Sequence, residues 1–482
     1  MTHLPVLRRL LVWVCLLVEL GTWAAPPSDL AAHLAELPTA RLMTGAHVGI
    51  FIQSVSNGDI WYTRDAGESF IPASTAKLVT VALALNRLGA SYRFNTQVYA
   101  DGPIFNGVVE GNLYLRGEGD PSLMPEDLHG MAKALASGDP ARGIAPIHAV
   151  RGKLYLDTSF FPQPGGPLLG VGWSRDDLPW YYAAPASALS CHGNAVTVTV
   201  HGARIGEAPT VVLQPDTSLF SVSNRAVTRV SSPPDLRIIP RGYRVSVTGA
   251  LSPGEEVIER ISVPQPEIFT VELFSNYLRS AGVAIAGIDR GRTDTTLMTL
   301  LTTHRSNTLG ELLRPLLKKS DNQMAEQLQW TLLARCGKDY PLPERFAGLI
   351  AELTHDNILP WGIQQVDGSG LSRLDRLTPA AAVRILVQMM LTPDFDAFYQ
   401  ALPIAGVDGT LEKRLRGTLA AGNAHAKTGS MHGVSTLAGY VATHAGEQLV
   451  YAIFINDNLA GSSAAREYQD EIVNYLAGVG DE

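Results

Sequence analysis

Short runs rich in apolar residues and bounded by turn signals mark both ends of the chain as strand-forming. Val48 to Ser54 and Ile60 to Arg64 read as two strands joined through Asn57-Gly58, a dipeptide suited to tight hairpins. Near the other end, Ala424 to Met431, Ser435 to Thr443 and Gln448 to Asn456 read as three more, with turns at His432-Gly433 and Ala445-Gly446. Helical periodicity flanks them. Ser463 to Ala477 carries Tyr468, Ile472, Val473 and Leu476 in one stripe, and Ser28 to Leu37 has Ser28 as a candidate N-cap. Pro72-Ala73-Ser74 opens a helix that runs to about Leu88 and stops at Gly89. Two strands from one end and three from the other are therefore expected to complete one antiparallel sheet, with the terminal helices covering a face.

The middle of the chain divides in two. From about Phe94 to Val263 it is rich in strands and turns, with segments such as Leu113-Tyr114-Leu115, Leu154-Tyr155-Leu156, Ala195 to Val200 and Tyr243 to Thr248. From Thr308 to Leu391 it is helical: Leu309 to Leu317, Gln323 to Arg335 and Pro379 to Met390. A β-rich block thus looks inserted into an α+β enzyme domain.

The first residues stand apart. Arg8 and Arg9 precede the apolar run Leu10 to Val18, and Thr22, Ala24 and Ala25 follow, which is the pattern of a secretory signal peptide over 1–24. As a membrane anchor the run is short and is broken by Glu19. Cleavage after Ala24 would remove Arg8, Arg9 and Glu19 and take the formal charge from −8 to −9. An acidic body argues against nucleic acid as a partner. At most a peripheral association with membrane is expected. The mature chain keeps Cys191 and Cys336, which either pair or are buried thiols. With no C-x-x-C, H-x-x-H or H-E-x-x-H in the chain, a metal site has no support and no cofactor is expected.

Three short clusters carry chemistry. Ser74 and Lys77 lie three apart at a helix start and face the same way. The helix behind them is apolar on nearly every face and hence buried, so Lys77 is partly desolvated, its neutral amine is favoured, and it can take the serine proton. Alone this is weak: S-x-x-K arises by chance about once in every two such chains, and Ser74 reads equally as an N-cap. Lys319-Ser320-Asp321-Asn322 sits where two helices meet, suiting either capping or a proton relay by Ser320 with Asn322 holding a carbonyl. His425-Ala426-Lys427-Thr428-Gly429-Ser430 lies on a strand, where Lys427 is either an edge guard or, with Thr428, a carboxylate grip, and Gly429 admits a ligand to the backbone.

The order S-x-x-K, S-D-N, K-T-G is the set found in class A β-lactamases and penicillin-binding proteins. The chain resembles the low-molecular-mass class C penicillin-binding proteins, the D-alanyl-D-alanine carboxypeptidase/endopeptidase family, over nearly its whole mature length. Supporting segments are Gly117 to Leu123, Ala184 to Leu189, Asp367 to Arg373 and Leu402 to Leu411, and roughly 240 residues separate Lys77 from Ser320, as that family's inserts require.

The resemblance implies a penicillin-recognising serine transpeptidase-like domain, an antiparallel sheet flanked by helices plus an all-helical subdomain, with two inserted β-rich domains. The catalytic domain would be 25–93 with 297–482, one insert 94–188 with 264–296, and a second 189–263. Ser74 would attack the D-Ala-D-Ala carbonyl with Lys77 as base, and the N–H groups of Ser74 and Ser430 would form the oxyanion hole. Ser320 would pass the proton on, Asn322 would hold a carbonyl, and Lys427, Thr428 and Gly429 would bind the terminal carboxylate. Asp177 (with Asp176 adjacent) and Arg373 would bind the side chain of the substrate peptide, and His432, also on the substrate-binding side, stands where some relatives carry an amide. Peptidoglycan stem peptides and β-lactam antibiotics would be the ligands, and the periplasm the compartment. A β-lactamase would need a deacylating glutamate between Asn322 and Lys427; Glu272 with Asn276 has partial spacing but comes too early. A cell-wall-binding protein without turnover is opposed by the intact set of motif residues, and an α/β-hydrolase by the lack of a G-x-S-x-G elbow.

Overall fold

The computed structural model describes residues 26–161, 168–230, 233, 235–336, 345–355 and 358–480. The expected signal peptide lies outside these residues.

A five-stranded sheet joins the two ends of the chain in the order Ile60–Arg64, His47–Ser54, Gln448–Asn456, Val434–Ala442, His425–Met431. Every neighbouring pair is antiparallel. The middle strand is buried on both sides because its apolar run is continuous. Leu449, Tyr451, Ile453 and Ile455 pack with Leu30, Leu34, Tyr468 and Ile472 of the terminal helices. Val450, Ala452 and Phe454 meet Leu78, Val81 and Leu85 of the helix Lys77–Leu88 and Ile385 and Leu386 of the helix Pro379–Met390. Such continuous runs, rather than alternating ones, are what a strand covered on two faces needs. The first helix is Leu30–Glu36, with Asp29 rather than Ser28 at its N-cap position and no side-chain cap.

The all-helical side is built from Leu309–Lys318, Asn322–Cys336, Arg345–His355 and Pro379–Met390. Thr308 caps the first of these, its hydroxyl accepting from the Glu311 N–H at 3.3 Å while the Glu311 carboxylate accepts from the Thr308 N–H at 2.7 Å.

The insert contains a second five-stranded sheet, ordered Ile288–Arg290, Leu154–Asp157, Leu113–Gly117, Asn95–Ala100, Thr299–Arg305. It continues past the 296 boundary expected from sequence, because Thr299–Arg305 completes its edge on Asn95–Ala100. The helix Pro125–Ser137, absent from the strand-rich reading of Phe94 to Val263, and the helix Pro266–Ser280, beyond the end of that block, also belong to the insert's core through Leu128, Met131, Leu135, Phe269 and Phe274. Two three-stranded sheets lie between: Thr210–Gln214, Ala195–His201, Glu256–Ser262, and Ser221–Asn224, Arg244–Thr248, Arg237–Arg241. Cys191 is buried and free, and the side chain of Cys336 lies outside the described residues.

Candidate active site

The three clusters converge from three elements. Ser74 does not cap the helix. It sits in a 3₁₀ turn, Ala73–Ala76, that feeds straight into Lys77–Leu88. The turn is set by Ala73, a non-glycine residue at φ 45°, in the sparsely populated left-handed region. Gly370 lies against it: a Cβ there would stand 1.9 Å from the Ala73 carbonyl oxygen, so only glycine fits. Ser320 is also left-handed, at φ 58°. Next to it, the Asp321 carboxylate accepts from the Met324 N–H at 2.9 Å. Capping and chemistry are thus divided between neighbours, with Asp321 holding the helix start and Ser320 turned to a lysine.

Lys77 is fully buried. Its Nζ stands 3.0 Å from Ser74 Oγ, 2.7 Å from Asn322 Oδ1 and 2.7 Å from the Ser369 carbonyl oxygen. Two of these neighbours are carbonyl oxygens, which only accept. A neutral amine gives its two N–H groups to them and is left with its lone pair for the Ser74 hydroxyl. Burial pushes the ammonium down from its ordinary 10.5 to about 8, against the opposing pull of Asp367, Glu326, Asp321 and Asp375. The arrangement is that of a base aimed at a nucleophile.

Lys427 is the second fully buried lysine, on the edge strand but turned inward, so it is no solvent-facing guard. Its Nζ donates to Ser320 Oγ at 2.9 Å and to the Thr428 carbonyl at 2.7 Å. Burial and then the charge of Lys77 hold it well below the usual lysine range. Thr428 Oγ1 lies 2.7 Å from Thr410 Oγ1. Gly429 passes so close to the nucleophile that a Cβ would stand 3.0 Å from the Ser74 nitrogen and 2.6 Å from the Pro72 oxygen. Ser430 is the next residue on that strand, exposed, with its hydroxyl 3.4 Å from Arg466 Nη2.

Behind Lys77 lies a buried acidic floor that the motifs do not announce. One Glu326 oxygen accepts from the Gly368 and Ser369 N–H groups at 3.0 and 2.8 Å, which fixes the peptide whose carbonyl meets Lys77. Asp367 accepts from the Gly370 and Ser372 N–H groups, each at 2.7 Å, and from Trp173 Nε1 at 2.8 Å. Burial, then the charge of Asp367, pushes Glu326 up to about 8. The same two causes hold Asp375 well above the usual carboxylate range. Glu326 falls four residues after Asn322 on one helix, the spacing that puts both on one face, and that was the available signal.

The residues expected at the rim are spread more widely. Arg373 is exposed and donates to the His432 carbonyl at 2.7 Å, so these two share one edge of the site. Asp177 accepts from Tyr182 OH at 2.9 Å, while the Tyr182 carbonyl accepts from Asn322 Nδ2 at 2.8 Å. Asp177 is therefore tied to Asn322 through Tyr182, a residue the motifs miss; Asp176 is exposed. Glu272 is remote in role: it accepts from the Ser218 N–H at 2.9 Å inside the insert.

Comparison with known proteins gives the family and the fold. The family model described as D-Ala-D-Ala carboxypeptidase 3 (S13) matches residues 28–479. The chain is 34% identical to the D-alanyl-D-alanine carboxypeptidase of Actinomadura sp. (strain R39), covering 90% of this chain and 82% of that one. It is 27% identical to the D-alanyl-D-alanine carboxypeptidase DacB of Haemophilus influenzae, covering 91% of each. The crystal structure of penicillin binding protein 4 from Haemophilus influenzae superposes with a TM-score of 0.78 at 25% identity, covering 92% of this chain and all of that one.

Proposed function

We propose, for a chain that belongs to the D-Ala-D-Ala carboxypeptidase 3 (S13) family, that Ser74 is the nucleophile of its serine DD-peptidase reaction and Lys77 the base. The observation that carries this is the Lys77 amine, buried, held by two carbonyl acceptors and 3.0 Å from Ser74 Oγ.

The terminal carboxylate of a D-Ala-D-Ala peptide enters beside Lys427 and Thr428. Ser74 Oγ gives its proton to Lys77 Nζ and attacks the penultimate carbonyl carbon. The developing oxyanion would be met by the N–H groups of Ser74 and Ser430, a pairing supported by the close approach of Gly429, the residue before Ser430, to the Ser74 nitrogen. As the C–N bond breaks, the proton taken by Lys77 passes through the Ser320 hydroxyl, itself linked to Lys427 at 2.9 Å, to the leaving amine, and Lys77 is neutral again. Water then opens the Ser74 ester, giving its proton to the now neutral Lys77, which returns it to Ser74 Oγ. A β-lactam acylates Ser74 by the same first step, and its ring-opened product stays attached because no glutamate lies between Asn322 and Lys427 in the arrangement a class A β-lactamase uses.

Asp177, Arg373 and His432 would sort the substrate's side chain, and Asn322 would hold its amide. The body formed by 25–93 and 297–482 would carry the chemistry, with 94–188, 264–296 and 189–263 as inserts. Residues 1–24 would direct export to the periplasm, supported by the basic, apolar and small-residue order of that stretch. Digestion of purified peptidoglycan tests the reading: free D-alanine marks carboxypeptidase action and cleaved crosslinks endopeptidase action. Release of neither by enzyme that binds penicillin would refute turnover.

A further inference from the structure

The sheet Ser221–Asn224, Arg244–Thr248, Arg237–Arg241 has one face turned to the core and one to solvent. Ile238, Val245 and Val247 are buried. The cross-strand pairs Arg241–Arg244, Ile239–Ser246 and Arg237–Thr248 define the outer face. Ser221 and Ser223 join it through their pairing with Arg244 and Ser246. Arg225 extends it by one residue, its N–H donating to the Val247 carbonyl at 2.8 Å. Four exposed arginines thus rim a floor of hydroxyls about 13 Å long by about 10 Å wide from strand geometry, with Arg225, Arg237 and Arg241 at three corners and Arg244 at the end of the middle strand between Arg241 and Ser221. None of the four is ion-paired with a described residue.

Charge sets this face apart. Residues 221–248 hold five arginines against one aspartate, in a chain whose formal charge is −8. An acidic enzyme is repelled by a polyanionic substrate unless some surface offsets that repulsion. Guanidinium groups bind carboxylates bidentately, and the serine and threonine hydroxyls between them can bond to carboxylate or sugar oxygens. Ile239 is the one large apolar side chain on this floor, 39% exposed, and no aromatic residue stands on the face to enter a bilayer.

We propose that this outer sheet face, with Arg225, Arg237, Arg241 and Arg244, is a docking surface for the carboxylate-bearing stem peptides of intact peptidoglycan. The proposal rests on the DD-peptidase reading. It separates holding the polymer from cutting it, since the four arginines belong to the insert and none touches Ser74, Lys77 or Lys427.

The test uses the full chain with Ser74 first acylated by penicillin, so that only non-catalytic contacts are read. The acylated protein is sedimented with insoluble peptidoglycan at rising salt, beside a variant carrying Arg225→Ser, Arg237→Ser, Arg241→Ser and Arg244→Ser. The wild type should co-sediment in a salt-sensitive way, and the variant should bind at least about tenfold more weakly, as four exposed ionic contacts imply. The variant should acylate with penicillin and cleave a short soluble peptide at the wild-type rate, which also certifies its fold. Equal sedimentation of the two proteins, or arginine-dependent binding to vesicles of anionic phospholipid but not to peptidoglycan, would overturn the proposal. Loss of penicillin acylation by the wild type would refute the DD-peptidase reading instead.

Discussion

Raising the pH should switch on acylation through Lys77. The amine is fully buried, and burial lowers it from 10.5 to about 8. At pH 7 an amine of that kind is neutral about one time in ten, whereas an ordinary lysine is neutral about once in three thousand, a gain of about 3 kcal/mol in the base form. The sign follows from the role. Only the neutral amine accepts the Ser74 proton, so the rate should rise nearly tenfold per pH unit below about 8 and level off above it. The assay is the acylation rate constant from pH 6 to 10, measured with an uncharged activated ester. Lacking a carboxylate, the ester isolates the Lys77 limb from any loss of charge at Lys427. A flat profile, or a rise centred on the ordinary lysine range, would refute the reasoning.

Asn322→Ala removes the acceptor 2.7 Å from Lys77 and the donor to the Tyr182 carbonyl, and should slow penicillin acylation about a hundredfold, read by stopped-flow, while the protein remains folded. Gly429→Ala would set a methyl group 2.1 Å from Thr436 Oγ1 and 2.6 Å from the Pro72 oxygen; the strand must move off the nucleophile, and acylation should fall by at least about a hundredfold with about 1–3 kcal/mol lost in urea unfolding. Trp173→Phe takes one of three donors from the buried Asp367 carboxylate and should cost about 1–3 kcal/mol in the same unfolding assay.

The site was legible in sequence where chemistry demands particular residue types at short spacing. Ser74 and Lys77, Ser320 and Asn322, and Lys427 to Gly429 meet because each cluster lies at the end or edge of an element whose pattern is also plain. The closing strands were readable for the same reason: Leu449 to Ile455 is apolar throughout, as a strand covered on both faces must be. The acidic floor was only partly readable, through the four-residue spacing of Asn322 and Glu326 and the place of Asp367 in the segment Asp367 to Arg373. Glu326, Asp367 and Trp173 act through contacts between residues far apart in the chain, and a lone buried acid in a sequence looks like any surface acid. The helix Pro125–Ser137 was hidden by the strands around it, although Leu128, Met131 and Leu135 keep helical spacing. The boundary near 296 depended on one strand, Thr299–Arg305, which finds its partner about 200 residues earlier.

The central claim is that one serine carries the reaction, and mapping the penicillin adduct tests it most directly. The mature protein is labelled with a fluorescent penicillin, digested, and the modified peptide sequenced by mass spectrometry, beside a Ser74→Ala variant shown to be folded. The account predicts a single adduct on Ser74 in the wild type and no label in the variant. An adduct on another residue, or full labelling of Ser74→Ala, would contradict it.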